Sequence, residues 1–321
     1  MLLPISIFKI AVSLDNITEK HGSEWVNYPL GVMNQFLKKS LSLEGMDLLY
    51  SGDIPNGAGL SSSASIEVVT AFALNTMFNY KLEVVELVKL SQKAENEFVG
   101  VNCGIMDQFA VGMGKKDHAI ALQCDTLKYE LVPVKLNDYK LIISNTNKRR
   151  GLADSKYNER RAECDKAVEY INKVRPIKNL GELSYADFAA LQDSIPSETI
   201  RRRAHHVVAE DQRVVDAIDA LKQGELEVFG ELMNSSHDSL RDDYEVTGKE
   251  LDALVDEARK IKGVIGSRMT GAGFGGCTVT LIRANAVDTF KTKVAENYKK
   301  ATGLTPDFYV ADIGDGVKEI V

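Results

Sequence analysis

Residues 55–65 read PNGAGLSSSAS, a stretch that is rich in glycine and serine. Gly57 and Gly59 allow backbone N–H groups to approach an anion closely, because no side chain stands in the way. The serines that follow lie where a helix begins, and a helix N-terminus attracts phosphate through its free N–H groups and its dipole. The same residues also suit a turn whose serines cap the helix, so both interpretations stay open at this point.

The sequence on either side of this loop predicts a strand before it and a helix after it. LLYS at 48–51 is typical of a strand, SSSASIEVVTAFALNTMF at 61–78 predicts a helix, and a second helix is predicted over 82–97. The apolar positions of the first helix at helical spacing are Ile66, Val69, Leu74 and Met77. No Gly-Lys-Ser/Thr occurs in the chain, so the loop is not a Walker phosphate loop.

A second glycine-rich stretch, GAGFGG at 271–276, formally matches the GxGxxG pattern of dinucleotide-binding proteins. That pattern requires a helix after the glycines, whereas CTVTLI at 277–282 predicts a strand. The stretch therefore favours a glycine hairpin between two strands. Short β-rich runs alternate with helical patterns along the chain, which predicts an α+β or α/β protein of two lobes. We expect the lobes to be residues 1–145 and 146–321, with the boundary near Asn145.

The composition is that of a globular protein, with 44% hydrophobic and 26% charged residues in a chain of 321. A net charge of −7 does not suit binding to the phosphate backbone of nucleic acids. No apolar run reaches the roughly eighteen residues that a membrane span needs. The four cysteines are widely separated and no positive charge precedes the apolar start of the chain. We therefore expect a cytoplasmic protein with reduced thiols and no nucleic-acid or membrane partner. A monomer is expected as well, although none of these features determines the oligomeric state.

Two carboxylates lie between the glycine loops in sequence. Glu95 stands near the end of the second predicted helix, and Asp107 stands among apolar residues in GIMDQF at 104–109. Isolated carboxylates are usually solvated surface groups, but one in apolar surroundings needs a partner or a function. A carboxylate, a hydroxyl such as that of Ser63, water and nucleotide phosphates together make a good Mg²⁺ site. A second carboxylate could then act as a base towards a substrate hydroxyl, which indicates phosphoryl transfer.

Several segments resemble the GHMP small-molecule kinases and, within them, the galactokinase branch. They are GLSSSAS (59–65), GIMDQF (104–109), NTNKRR (145–150), SKYNERR (155–161), SSHDSLRDDYEVT (235–247) and GSRMTGAGFGGC (266–277). The resemblance implies an α+β fold, with an N-terminal lobe like ribosomal protein S5 domain 2 and a ferredoxin-like C-terminal lobe. It also implies transfer of the γ-phosphate of ATP, with Mg²⁺, to the C1 hydroxyl of α-D-galactose.

The resemblance also implies roles for individual residues. Those that would cradle the nucleotide phosphates are Gly57, Ala58, Gly59, Leu60, Ser61, Ser62 and Ser63. Ser63 and Glu95 would be the ligands of Mg²⁺. Asp107 would be the catalytic base and would contact the sugar, which Tyr157 would contact as well. Arg149 lies in a matching loop, from where a cation would favour the ionised form of Asp107.

The chain departs from the family at its start. Galactokinases open with a motif of the type GRxNLIGEHxDYN, which serves the sugar and the transferring phosphoryl group, and this sequence has no such motif. We therefore expect a chain that lacks the first tens of residues of its family and whose activity is impaired. The alternatives are another GHMP sugar kinase such as an N-acetylgalactosamine kinase, a non-catalytic protein that binds sugar and ATP, and an inactive remnant.

Overall fold

A computed structural model describes residues 9–22, 24–52, 54, 60–148 and 153–320. Its helices are α1 Asn27–Lys38, α2 Ser62–Met77, α3 Val84–Lys93, α4 Met106–Met113, α5 Ala153–Ile171, α6 Tyr185–Leu191, α7 Glu198–Gln223, α8 Leu226–Asp242, α9 Lys249–Arg259 and α10 Val287–Thr302. Its strands are β1 His118–Leu122, β2 Tyr129–Pro133, β3 Tyr139–Asn145, β4 Val264–Thr270, β5 Cys277–Arg283 and β6 Asp307–Ala311.

The chain divides into two compact units. The first contains the described residues up to 54, Ser61–Leu131 and the described residues from 314 onward, and the second contains those of Val132–Ile313 together with Leu60. Strand β3, which ends at Asn145, belongs to the second unit by this division. The domain boundary between residues 145 and 146 stays a prediction from the sequence.

Helices α1, α2 and α3 build the core of the first unit, which contains Phe36 on α1 and Leu87 on α3, both fully buried. Helix α2 contributes Ala71 and Leu74 to this core, but the predicted apolar face is wrong at Val69 and Met77, which are 43% and 54% exposed. The buried positions of α2 are Ala64, Glu67, Val68, Thr70, Ala71 and Leu74. A carboxyl group thus lies on the buried face, which a pattern of apolar residues cannot reveal.

Two further local features differ from the sequence prediction. Residues 48–51 form no strand, although LLYS has a strand-like composition. The second predicted helix is present as α3, but from Ala94 to Val99 it widens into a π-helical turn. The π-helical turn ends at Gly100, whose φ of 87° is left-handed, and the N–H groups of Gly100 and Val101 both donate to the carbonyl of Glu95. Such turns are rare in proteins, and those that do occur often lie at functional sites.

A four-stranded antiparallel sheet in the order β4-β5-β3-β6 organises the second unit. In chain order β3, α9, β4, β5, α10 and β6 follow the β-α-β-β-α-β pattern of ferredoxin-like folds. Helices α5 to α8 are inserted between β3 and α9. Leu254 of α9 and Phe290 of α10 pack with Ile142 of β3 in one buried cluster. The predicted hairpin is confirmed, because residues 271–276 connect the paired strands β4 and β5.

Three other helices of the second unit have a core of their own. Helices α5, α6 and α7 enclose a cluster that includes Ile171, Phe188 and Val208, each at most 1% exposed. No helix among the described residues is long and apolar enough to cross a lipid bilayer.

Candidate active site

The N-terminus of α2 follows the loop that is rich in glycine and serine. Ser61, the residue before α2, has a left-handed φ of 57°, and among the described residues no side chain caps this helix end. The first N–H groups of a helix have no partner within it, so an anion can accept from them. Of the residues predicted to bind phosphate, Leu60, Ser61, Ser62 and Ser63 are described and half-buried, whereas Gly57, Ala58 and Gly59 lie outside the described residues.

A buried hydrogen-bonded cluster lies one helical turn from the start of α2. Glu67 stands four residues after Ser63, so the two side chains lie on the same side of the helix. The Glu67 side chain is fully buried and its Oε2 accepts from Nε2 of Gln108 at 3.1 Å. The same nitrogen donates to Oε2 of Glu95 at 2.6 Å, and Glu95 is 7% exposed. One amide group therefore joins α2, the π-helical turn and α4.

The loop between the π-helical turn and α4 adds a thiol to this cluster. Sγ of Cys103 lies 3.4 Å from Oε2 of Glu95 and 3.2 Å from Oδ1 of Asn96. The backbone N–H of Cys103 also donates to Oδ1 of Asn96 at 3.0 Å, which fixes the loop to the π-helical turn. Burial, together with the negative charge of Glu95, raises the pKa of Cys103 to about 12, so the thiol stays protonated and can donate to the carboxylate.

The two carboxyl groups of the cluster differ in protonation. Burial, and after it the charge of Glu95, raises the pKa of Glu67 to about 9. At neutral pH the Glu67 carboxyl is therefore protonated and neutral, since two carboxylates beside one amide group cannot both stay ionised without a cation. Glu67 and Gln108 were not among the residues predicted from the sequence, although Glu67 lies just after the GLSSSAS segment and Gln108 lies within GIMDQF.

Asp107 is the second residue of α4 and is half-buried. It precedes Gln108, so the amide that contacts Glu95 also fixes the helix end that carries Asp107. In the part of the chain that the structure describes, the Asp107 carboxylate has no hydrogen bond or ion pair. A negative charge in the first turn of a helix interacts favourably with the helix dipole. The predicted residues Ser63, Glu95 and Asp107 thus lie on three elements of the first unit that Gln108 links together.

The other predicted sugar contact, Tyr157, belongs to the second unit, where it lies on α5 and is 42% exposed. Arg149, the predicted neighbour of Asp107, falls outside the described residues. The glycine hairpin of the second unit packs tightly against another backbone segment. A Cβ on Gly273, whose φ is 83°, would lie 2.2 Å from the carbonyl oxygen of Val246, and Phe274 N–H donates to that oxygen at 2.8 Å.

Comparison with known proteins assigns a family to this arrangement. The GHMP kinases N terminal domain matches residues 27–115, and the GHMP kinases C terminal domain matches residues 217–300. The galactokinase of Fusobacterium nucleatum subsp. nucleatum is 54% identical over 313 residues, which cover 97% of this chain and 80% of that protein. The galactokinase of Bacillus subtilis is 50% identical over 309 residues, or 96% of this chain and 79% of that protein.

Solved structures agree with the sequence comparison. The structure of Lactococcus lactis galactokinase complexed with galactose matches with a TM-score of 0.92 and 47% identity, covering 96% of this chain and 80% of that one. A mevalonate kinase matches with a TM-score of 0.60 at 21% identity over 95% of this chain and 82% of its own, and shows a shared fold alone. The predicted α+β class is confirmed. The chain therefore belongs to the GHMP kinase family and, within it, to the galactokinases.

Proposed function

We propose that this chain transfers the γ-phosphate of ATP to the C1 hydroxyl of α-D-galactose, giving galactose 1-phosphate and ADP. The observation that carries the proposal is the Gln108 amide, which joins the uncapped end of α2, the Glu95 carboxylate and the start of α4 with Asp107. A phosphate-binding helix end, a cation ligand and a base are the three parts that phosphoryl transfer to a hydroxyl requires. The names of the relatives supply the sugar, since several are galactokinases and one was solved with galactose.

The nucleotide phosphates would lie at the N-terminus of α2, accepting from its free N–H groups. The Ser63 hydroxyl and the Glu95 carboxylate are hard oxygen donors, which fit Mg²⁺. Among the described residues, no three or more His, Cys, Asp or Glu side chains gather to hold a metal ion. Ser63 and Glu95 would therefore share the cation with phosphate and water oxygens, as is usual for Mg²⁺. When bound, Mg²⁺ supplies positive charge that offsets the negative charge developing on the phosphate oxygens.

Asp107 would accept the proton of the sugar C1 hydroxyl. As that oxygen forms its bond to the γ-phosphorus, the bond from the phosphorus to the bridging oxygen of ADP breaks and the proton passes to the Asp107 carboxylate. Asp107 is half-buried, so its carboxylate remains accessible to a substrate hydroxyl. Tyr157 would contact the sugar. We expect the protein to act as a monomer in the cytoplasm, without a nucleic-acid partner.

A coupled ADP-release assay on the purified chain with ATP and Mg²⁺ tests this function. We expect ADP release that depends on D-galactose and that N-acetylgalactosamine does not support. Asp107→Asn should lower turnover at least about 100-fold, the range that general base catalysis supplies, and leave ATP binding unchanged. Asp288→Asn is the matched control, because Asp288 is likewise the second residue of a helix, α10, and is exposed. Binding of ATP and galactose without ADP release would instead show a non-catalytic binding protein.

A further inference from the structure

The Gln108 side chain lies between two carboxyl groups that belong to other elements. It is fully buried, and its Nε2 donates to Oε2 of Glu95 at 2.6 Å and to Oε2 of Glu67 at 3.1 Å. A primary amide carries two hydrogens on its nitrogen, so each carboxyl receives one. Among the described residues, the Oε1 atom of Gln108 has no hydrogen-bond partner. The amide therefore acts in this cluster through its donors.

The hydrogen bonds of Glu95 are unevenly distributed over its two oxygens. Oε2 accepts from Gln108 at 2.6 Å and lies 3.4 Å from Sγ of Cys103. Within the described part of the chain, the Gln108 amide and the Cys103 thiol both contact Oε2 and neither contacts Oε1. A carboxylate whose one oxygen is fixed by protein donors presents its other oxygen in a defined direction. Metal-binding carboxylates commonly have this arrangement, in which a neighbouring donor orients the ligand.

The residues that form these hydrogen bonds stand close in sequence to Ser63 and Asp107. Glu67 stands one helical turn from Ser63 on α2, and Gln108 directly follows Asp107 on α4. A displacement of the Gln108 amide would therefore move Glu95 relative to both the hydroxyl ligand and the base. The two carboxyl groups that Gln108 contacts are distant from it in sequence, at separations of 13 residues for Glu95 and 41 residues for Glu67.

We propose that Gln108 is a positioning residue of the phosphoryl-transfer site: its amide holds Oε2 of Glu95 so that Oε1 is directed to the divalent cation of the nucleotide. This inference rests on the proposed function, because it takes Glu95 as a ligand of that cation. Gln108 itself touches neither the cation nor the substrate. Its effect on the reaction is transmitted through the orientation of Glu95.

The test is the affinity of the purified chain for Mn²⁺ in the presence of ADP, measured from the electron paramagnetic resonance signal of free Mn²⁺. Gln108→Met keeps the length of the side chain and removes its donors. We expect it to weaken Mn²⁺ binding by about 10- to 100-fold, the usual effect of losing a residue that orients a metal ligand. Gln108→Asn, which keeps the amide but withdraws it by one methylene, should weaken binding as well, and provides a second variant if Gln108→Met fails to fold.

Gln35→Met is the matched control. Gln35 is 4% exposed and its Nε2 donates at 2.9 Å to Oε2 of Glu97, a carboxylate of the same π-helical turn. We expect Gln35→Met to leave Mn²⁺ affinity unchanged. An equal loss in Gln35→Met and Gln108→Met would overturn the proposal, because it would mean that both amides merely stabilise the turn.

A double variant separates the positioning role from the metal-ligand role. In a Glu95→Gln background, Gln108→Met should cause no further loss of Mn²⁺ affinity, since the residue through which it acts is already altered. If Glu95→Gln weakens binding and Gln108→Met does not, the positioning role of Gln108 is wrong and the metal site stands. If neither variant changes Mn²⁺ affinity, the assignment of Glu95 as a ligand fails and the inference falls with it.

Discussion

The protonated state of Glu67 predicts that Glu67→Gln stabilises the protein at alkaline pH. The side chain is fully buried, accepts a hydrogen bond from Gln108 and lies near the charge of Glu95. Glutamine has the same shape as a protonated glutamate, and its amide oxygen can accept the Gln108 hydrogen bond. The substitution therefore removes the titration of this group while it keeps the packing of the cluster.

The magnitude follows from the raised pKa of Glu67, which is about 9 in the folded chain against an ordinary value of 4.5. The folded state therefore binds the Glu67 proton more tightly than the unfolded state does. The resulting stabilisation is fully present below pH 4.5 and is lost as the pH rises towards 9. Between these limits each pH unit lowers the free energy of unfolding by about 1.4 kcal/mol. From pH 6 to pH 8 the wild-type chain should thus lose about 2.7 kcal/mol relative to Glu67→Gln.

Urea unfolding followed by the fluorescence of Trp25 measures this difference. Trp25 is the only tryptophan of the chain and belongs to the first unit, as does Glu67. The measurements are made at pH 6 and pH 8 in a buffer that contains EDTA, because a divalent cation at Glu95 would alter the charge beside Glu67. The pH 6 comparison of the two proteins serves as the control for any change in packing. An equal stability difference at both pH values would refute the protonation of Glu67.

Two further predictions concern the second unit. Gly273→Ala should lower the free energy of unfolding by about 1–3 kcal/mol more than Gly303→Ala does. Both glycines have a left-handed φ, but only at Gly273 would a Cβ lie against the carbonyl of Val246. Chemical denaturation followed by circular dichroism compares the two variants, and equal losses of stability would contradict the close approach at Gly273. Burial lowers the pKa of His206 to about 4, so the unfolded state binds its proton first and stability falls by up to about 1.4 kcal/mol per pH unit as the pH drops from 6.5 towards 4. His206→Gln should remove this loss between pH 7 and pH 5, and an unchanged pH dependence would count against the prediction.

Strand β5 could be predicted because its signal is local. The run at 277–282 forms β5 nearly to the residue, since a short β-branched and apolar run that follows a glycine-rich turn is typical of a strand. The π-helical turn Ala94–Val99 could not be predicted from the helical pattern over 82–97. It depends on one carbonyl that accepts from two N–H groups, which the spacing of apolar residues does not encode.

The candidate site, like the fold, could be predicted from the sequence only in part. Glu95 and Asp107 were noticed as carboxylates between the two glycine loops, the resemblance to galactokinases gave them specific roles, and those roles stay predictions. Glu67 could not be predicted, because a carboxyl on a helix is ordinarily assigned to the exposed face. Its burial depends on the amide of Gln108, which comes from another helix 41 residues away. Such a contact between distant residues is determined by tertiary packing rather than by a local pattern.

Phosphorylation of the C1 hydroxyl of galactose by this chain can be tested by identifying the product. The purified chain is incubated with ATP, Mg²⁺ and D-galactose, and the products are examined by phosphorus and proton nuclear magnetic resonance. We expect a sugar phosphate whose anomeric proton is coupled to phosphorus, which places the new phosphate on C1. A phosphate on another hydroxyl, or the release of inorganic phosphate without a sugar phosphate, would contradict the account.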